Sequence, residues 1–83
     1  MDTIKVKLKD GKIGYVGFKR GFISIEGPTF WARQKIASII KSYVRDHVPV
    51  GHITRTIGGF KYDPTFSFMM KEMVSSHLMN IDE

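Results

Sequence analysis

The chain has 83 residues, 42% of them apolar, no cysteine, and a formal net charge of +5. That length holds one domain, 1–83, and the absence of cysteine excludes a disulfide framework or a thiolate metal site, so apolar burial alone must stabilise the fold. No apolar run approaches the ~20 residues of a membrane span, and Met1-Asp2-Thr3 lacks the basic-then-apolar layout of a signal peptide; both point to a soluble, cytoplasmic protein without a membrane partner.

The first element is Ile4-Lys5-Val6-Lys7-Leu8-Lys9, in which apolar residues alternate with lysine as on a half-buried strand. Asp10-Gly11 follows, a strong hairpin signal, and further strands are expected at about residues 12–18 and 22–26. A two-residue turn at Asp10-Gly11 sets Leu8 opposite Ile13 and Val6 opposite Tyr15. Keeping Ile23 and Ile25 on that same face then requires a three-residue loop over Lys19-Arg20-Gly21, with Gly21 left-handed. The expected core face is Ile4, Val6, Leu8, Ile13, Tyr15, Ile23 and Ile25. The expected outer face is Lys5, Lys7, Lys9, Lys12, Val16, Phe18, Phe22 and Ser24, with Phe18 directly opposite Phe22. Gly14 and Gly17 inside the second strand signal a bulge, a bend or the close approach of another backbone.

Gly27-Pro28 closes the strands, and a helix is expected over 29–46 with Thr29 as N-cap. Its apolar stripe is Ala32, Ile36, Ile39, Ile40, Tyr43 and Val44, with Lys35, Ser38, Lys41, Ser42 and Arg45 on the remaining surface. Pro49 ends it, and His47 lies near the C-terminus, where the helix dipole favours a cation. Residues 51–62 read as a short hairpin, with β-branched 52–57 turning at Gly58-Gly59. Asp63 as N-cap and Pro64 at the first helical position open a last helix. Phe66, Met70, Met73, Val74 and His77 form its stripe, and the tail after Met79 is expected to fray. The fold class is therefore α+β: a three-stranded antiparallel meander, a long amphipathic helix, a short hairpin, and a C-terminal helix packed on the sheet, with both helices against one sheet face.

Charge is unevenly spread. Residues 3–61 carry twelve basic against three acidic side chains, a net of +9, whereas residues 62–83 carry one against four, a net of −3. A basic body raises nucleic acid and acidic protein surfaces as partners. The leading candidate site is the lysine face: Lys5, Lys7, Lys9 and Lys12, joined by Arg20, with Phe18 and Phe22 as stacking surface. Alternate strand residues stand about 6.6–6.8 Å apart, a spacing suited to successive backbone phosphates. Lysine at alternate positions is also what a solvated strand face or a protected sheet edge carries. The second hairpin adds Arg55, Phe60, Lys61 and Tyr62 around its turn, either as a basic-aromatic finger or as an ordinary turn.

Trp31 falls on the polar side of the first helix; a first-turn aromatic there is expected to pack down on the sheet, with base stacking or a protein hot spot as the alternative. Phe68, Met69 and Met73 make the last helix apolar over more than half its circumference, which suits either a core helix or an adaptable protein-binding or dimer surface. The three histidines lack metal-ligand spacing, and no cofactor motif is present. Acid–base chemistry on a phosphodiester would have to use His52 with His47, Lys61 or Arg55, and no spacing selects them. Three functions follow. The first is a small non-enzymatic nucleic-acid-binding protein. The second is a protein-interaction module, an adaptor or inhibitor docking on an acidic partner, with a homodimer compatible with either. The third and remotest is a histidine-dependent phosphodiesterase.

Overall fold

The computed structural model describes residues 2–48 and 52–79. In chain order they form β1 (Asp2–Lys7), β2 (Ile13–Lys19), β3 (Phe22–Glu26), α1 (Phe30–His47), β4 (Ile53–Thr56), β5 (Gly59–Tyr62), a 3-10 turn over Pro64–Phe66, and α2 (Ser67–Met79). The α+β class holds, and α2 packs on the sheet as expected. The second hairpin does not stand apart from the meander. β5 pairs antiparallel with β3, giving one five-stranded sheet in the order β1-β2-β3-β5-β4.

Both loops of the meander differ from the expected ones. A two-residue Asp10-Gly11 turn of the hairpin type needs positive φ at Asp10, and among the described residues no non-glycine residue adopts positive φ. Of these two, Gly11 alone does, at φ 88°. The loop becomes Lys9-Asp10-Gly11, closed by Leu8 N–H donating to the Lys12 carbonyl at 2.9 Å. Asp10 uses its carboxylate to accept the Lys12 N–H at 2.9 Å. That bond, followed by the Lys12 side chain, holds the Asp10 carboxyl below its ordinary range.

The next loop has two residues, Arg20 and Gly21, because Lys19 pairs directly with Phe22. Gly21, at φ 75°, donates its N–H to Ser67 Oγ at 2.9 Å and accepts the Tyr62 N–H at 3.0 Å. The chain beyond β5 thus clamps this turn.

The two changes cancel between β1 and β3, whose core faces are as expected, but they turn β2 over. Ile13 and Tyr15 move to the outer face, while Val16 and Phe18 enter the core. Phe18 pairs with Ile23, not Phe22. The glycines of β2 then make sense. A Cβ on Gly14 would stand 2.2 Å from Ile36 Cδ1 and 2.8 Å from the Glu26 carbonyl oxygen, so α1 approaches the sheet through the space that glycine leaves. The third turn shifts as well: Thr56 pairs with Gly59, so it is centred on Ile57-Gly58, and Gly59 lies within β5.

α1 is capped by Thr29, whose Oγ1 accepts the Ala32 N–H at 3.0 Å. It buries Ala32, Ile36, Ala37, Ile40 and Val44 and ends at the C-cap Val48; Pro49, the expected stop, lies outside the described residues. Asp63 and Pro64 open a 3-10 turn rather than the last helix, which starts at Ser67; Asp63 caps that turn by accepting the Thr65 N–H at 3.0 Å, which lowers its carboxyl pKa. α2 buries Met70, Val74 and Leu78, with Met73 and His77 half-buried at its flank. The tail expected to fray lies outside the described residues. Tyr43 of α1 stacks on both His47 and His77, each at 4.2 Å. Two rings stacked that closely must take opposite faces of the tyrosine, so Tyr43 ties the two helices together. The strand residues Val6, Val16, Phe18, Ile23, Ile25 and Phe60 join both helices in one core on one face of the sheet.

If α1 is seated through Gly14, Gly14→Ala should destabilise by about 1–3 kcal/mol through overpacking. Combining it with Ile36→Val, which removes Cδ1, should cost less than the sum of the two single changes. Urea denaturation of the four proteins measures that coupling.

Burial raises the Tyr62 phenol above its ordinary value, and its hydroxyl donates to the Lys19 carbonyl at 3.4 Å. The unfolded phenol therefore ionises first, near pH 10, and stability falls as pH rises past that point. Tyr62→Phe should lose less of its urea midpoint between pH 9 and 11 than the wild type does.

Candidate nucleic-acid interface

With both helices on one side, the other face of the sheet carries no described element. Residues directly opposite across an antiparallel sheet share a face, so the register assigns this surface row by row. One row is Lys7 and Ile13; the next is Lys5, Tyr15 and Glu26. Beyond them lies a row of small residues, Thr3, Gly17, Ser24, Gly59 and Thr56, and then Lys19, Phe22, Lys61 and Thr54. Each aromatic therefore stands between two charged neighbours: Tyr15 between Lys5 and Glu26, and Phe22 between Lys19 and Lys61. Tyr15 is 44% exposed and Phe22 half-buried. Lys5, Lys7, Lys19 and Lys61 are exposed and form no ion pair with another described residue.

The small row lies between the two aromatics. Ser24 Oγ donates across it to the Gly17 carbonyl at 3.4 Å. The Phe22 ring reaches toward the glycine pair, since a Cβ on Gly58 would lie 4.0 Å from its Cζ. Tyr15 and Phe22 are four residues apart along the strand direction and one strand apart laterally, roughly 14 Å between Cα atoms. Aromatic surface at two stations, with lysine around each, can stack bases and meet the phosphates between them.

The structure keeps some of the expected site and rearranges the rest. Lys5, Lys7, Phe22 and Lys61 belong to the open face. Lys9 and Lys12 flank the β1–β2 turn, where Lys12 Nζ pairs with Asp10 at 3.2 Å, and Arg20 occupies the β2–β3 turn. Phe18 is a correction: it is 6% exposed, in the core beneath the helices. Arg55 is another. It pairs with Phe60 on the helix side of the sheet, its guanidinium 5.3 Å from that ring and donating to the Gly59 carbonyl at 2.8 Å. Tyr62 and Phe60 are buried on that same side, so the basic-aromatic finger does not form as a unit.

Tyr15 and Lys19 are the residues that sequence reasoning placed elsewhere, in the core and in the loop. The signal available for Tyr15 was the alternative hairpin loop ending in left-handed Gly11, which puts Tyr15 beside the lysines.

Trp31 does not pack down on the sheet. It is 76% exposed, with the Phe30 ring against it edge-on at 5.3 Å. Phe68 is 75% exposed and Met69 39%, at the start of α2, while Met73 is half-buried. Trp31 opens α1, so these four residues belong to different helices. The histidines are also dispersed: His52 meets Phe66 edge-on at 5.3 Å, while His47 lies in the Tyr43 stack. Lys61 and Arg55 point to opposite sheet faces. Among the described residues, no group of three or more histidines and carboxylates is placed to hold a metal ion, and neither helix is long and apolar enough to cross a membrane. The chain matches no family model, no curated protein and no solved structure.

Proposed function

We propose that this protein binds nucleic acid, without catalysing a reaction on it, through the open face of its sheet. The observation that carries this reading is the placement of Tyr15 and Phe22 among four lysines that pair with no described residue, on a face that neither helix covers. A face serving only solubility has no need of two aromatic rings. Lysine supplies the phosphate term, which is independent of base sequence and sensitive to salt. The aromatics favour single strands, whose bases are free to leave the stack and lie on a ring; in a duplex the bases are already stacked on each other.

With four phosphates neutralised on a single strand, the affinity should follow salt with a log–log slope of roughly −3, or about 50-fold between 50 and 200 mM. Fluorescence anisotropy of labelled dT12, U12 and a 12-base-pair duplex at the two salt concentrations measures this. Lys7→Glu should weaken dT12 binding about tenfold and make the slope shallower by about 0.7. An unchanged affinity in that variant, or equal affinity for duplex and single strand, removes the proposed surface.

Tyr15→Ala separates stacking from charge. It should cost roughly 1–3 kcal/mol of binding and leave the salt slope unchanged. A second reading, a protein-docking module that uses α2 as its anchor, is favoured by the exposure of Phe68 and Met69. Phe68→Ala should leave oligonucleotide binding intact and weaken only a protein partner.

A further inference from the structure

A large exposed aromatic lies just beyond the border of the open face. Trp31 is the single tryptophan of the chain, and 76% exposure leaves most of its ring without the burial that usually justifies it. It lines a depression of about 370 Å³ together with Leu8, Lys9, Lys12, Ala32 and Lys35. Phe30, edge-on at 5.3 Å and 77°, supports the indole from the side. Of the lysines at this depression, Lys12 is already paired with Asp10, whereas Lys9 forms no ion pair with another described residue and is available to a phosphate.

The β1–β2 turn is the shared border of the two surfaces. Lys7 and Ile13 stand on the open face, and Lys9 and Lys12, from the loop segment that joins that pair, line the Trp31 depression. Ile13 lies between Tyr15 and the β1–β2 turn along β2, and the Lys9 and Lys12 that follow line the same depression as the indole. A duplex is too stiff to turn over this edge and keeps its bases inward, whereas a single strand can do both.

We infer that Trp31 is the terminal stacking station of a single-stranded nucleic-acid path that runs over the sheet face from Phe22 past Tyr15 and bends around the β1–β2 turn. The inference rests on the sheet-face reading and adds to it a residue, a direction and a preference for flexible strands. Its chemistry is that of a flat base on an exposed indole, with the flanking phosphate on Lys9.

Trp31 is also its own reporter, because a base stacked on indole quenches its emission. The full chain is titrated with unlabelled dT12 while Trp31 emission is followed, and in parallel with fluorescein-labelled dT12 by anisotropy at 50 mM salt. Quenching with the same midpoint as the anisotropy change is expected. Trp31→Ala, which removes an exposed side chain and should keep the circular dichroism of the wild type, should weaken dT12 binding roughly 5- to 150-fold. Tyr15→Ala should weaken both signals together.

Anisotropy binding with unchanged Trp31 emission and unaltered affinity in Trp31→Ala would overturn the inference and leave the sheet-face reading standing. Quenching that survives intact in Tyr15→Ala would also overturn it, because the indole would then bind independently of the sheet. No binding of dT12 in either assay would remove the sheet-face reading and the Trp31 path with it.

Discussion

The phase of β2 governs the rest of the molecule. This strand lies between β1 and β3, and its alternate residues supply the middle of the core on one side and the middle of the open surface on the other. Because side chains alternate with a period of two, a shift of one residue exchanges the two sets. The shift is accommodated at Gly11, whose left-handed conformation lets the loop hold three residues and places Gly14 under Ile36. With Gly14 there, α1 can sit close to the sheet, and Val16 and Phe18 extend the apolar floor beneath it. With β2 in the other phase, Tyr15 would occupy the core and the helix would meet a side chain at Ile13 or Tyr15 where it now meets none.

The architecture also explains why one face is left open. Five strands present a wide sheet, and both amphipathic helices are committed to the side that holds the aliphatic residues of β1, β2 and β3 and the aromatic residues of β5. Tyr43, sandwiched between His47 and His77, fastens the two helices to each other on that side. The far side retains lysine from four positions on three strands, with Tyr15 and Phe22 among them. A row of glycine, serine and threonine lies between those two aromatics.

Much of the fold was legible in the residue pattern because it rests on local signals. Thr29 announces the start of α1 through its own side chain, and Asp63 announces the 3-10 turn that leads into α2; both accept a backbone N–H. The stripe from Ala32 to Val44 repeats with the period of a helix and is the buried face. Lys5 and Lys7 alternate with Ile4 and Val6, and each set stays on its expected side. The pairing of β5 with β3 had no local signal, since it joins residues nearly forty positions apart whose affinity for each other depends on the core they share. The exposure of Trp31 was likewise not readable from its helical position, because it depends on how far the sheet extends beneath the first turn of α1.

The amino-acid sequence by itself determined the elements, their order, the basic body with an acidic C-terminus, and the alternation of lysine with aliphatic residues along β1. Those properties are written in side-chain chemistry and in periods of two and 3.6 residues, which do not require a partner to be expressed. Only the tertiary structure decided which way β2 faces, and with it whether Tyr15 or Phe18 meets the solvent. The choice is made by contacts from elsewhere: Ile36 seated over Gly14, and Ser67 and Tyr62 bonded to Gly21 from more than forty residues away.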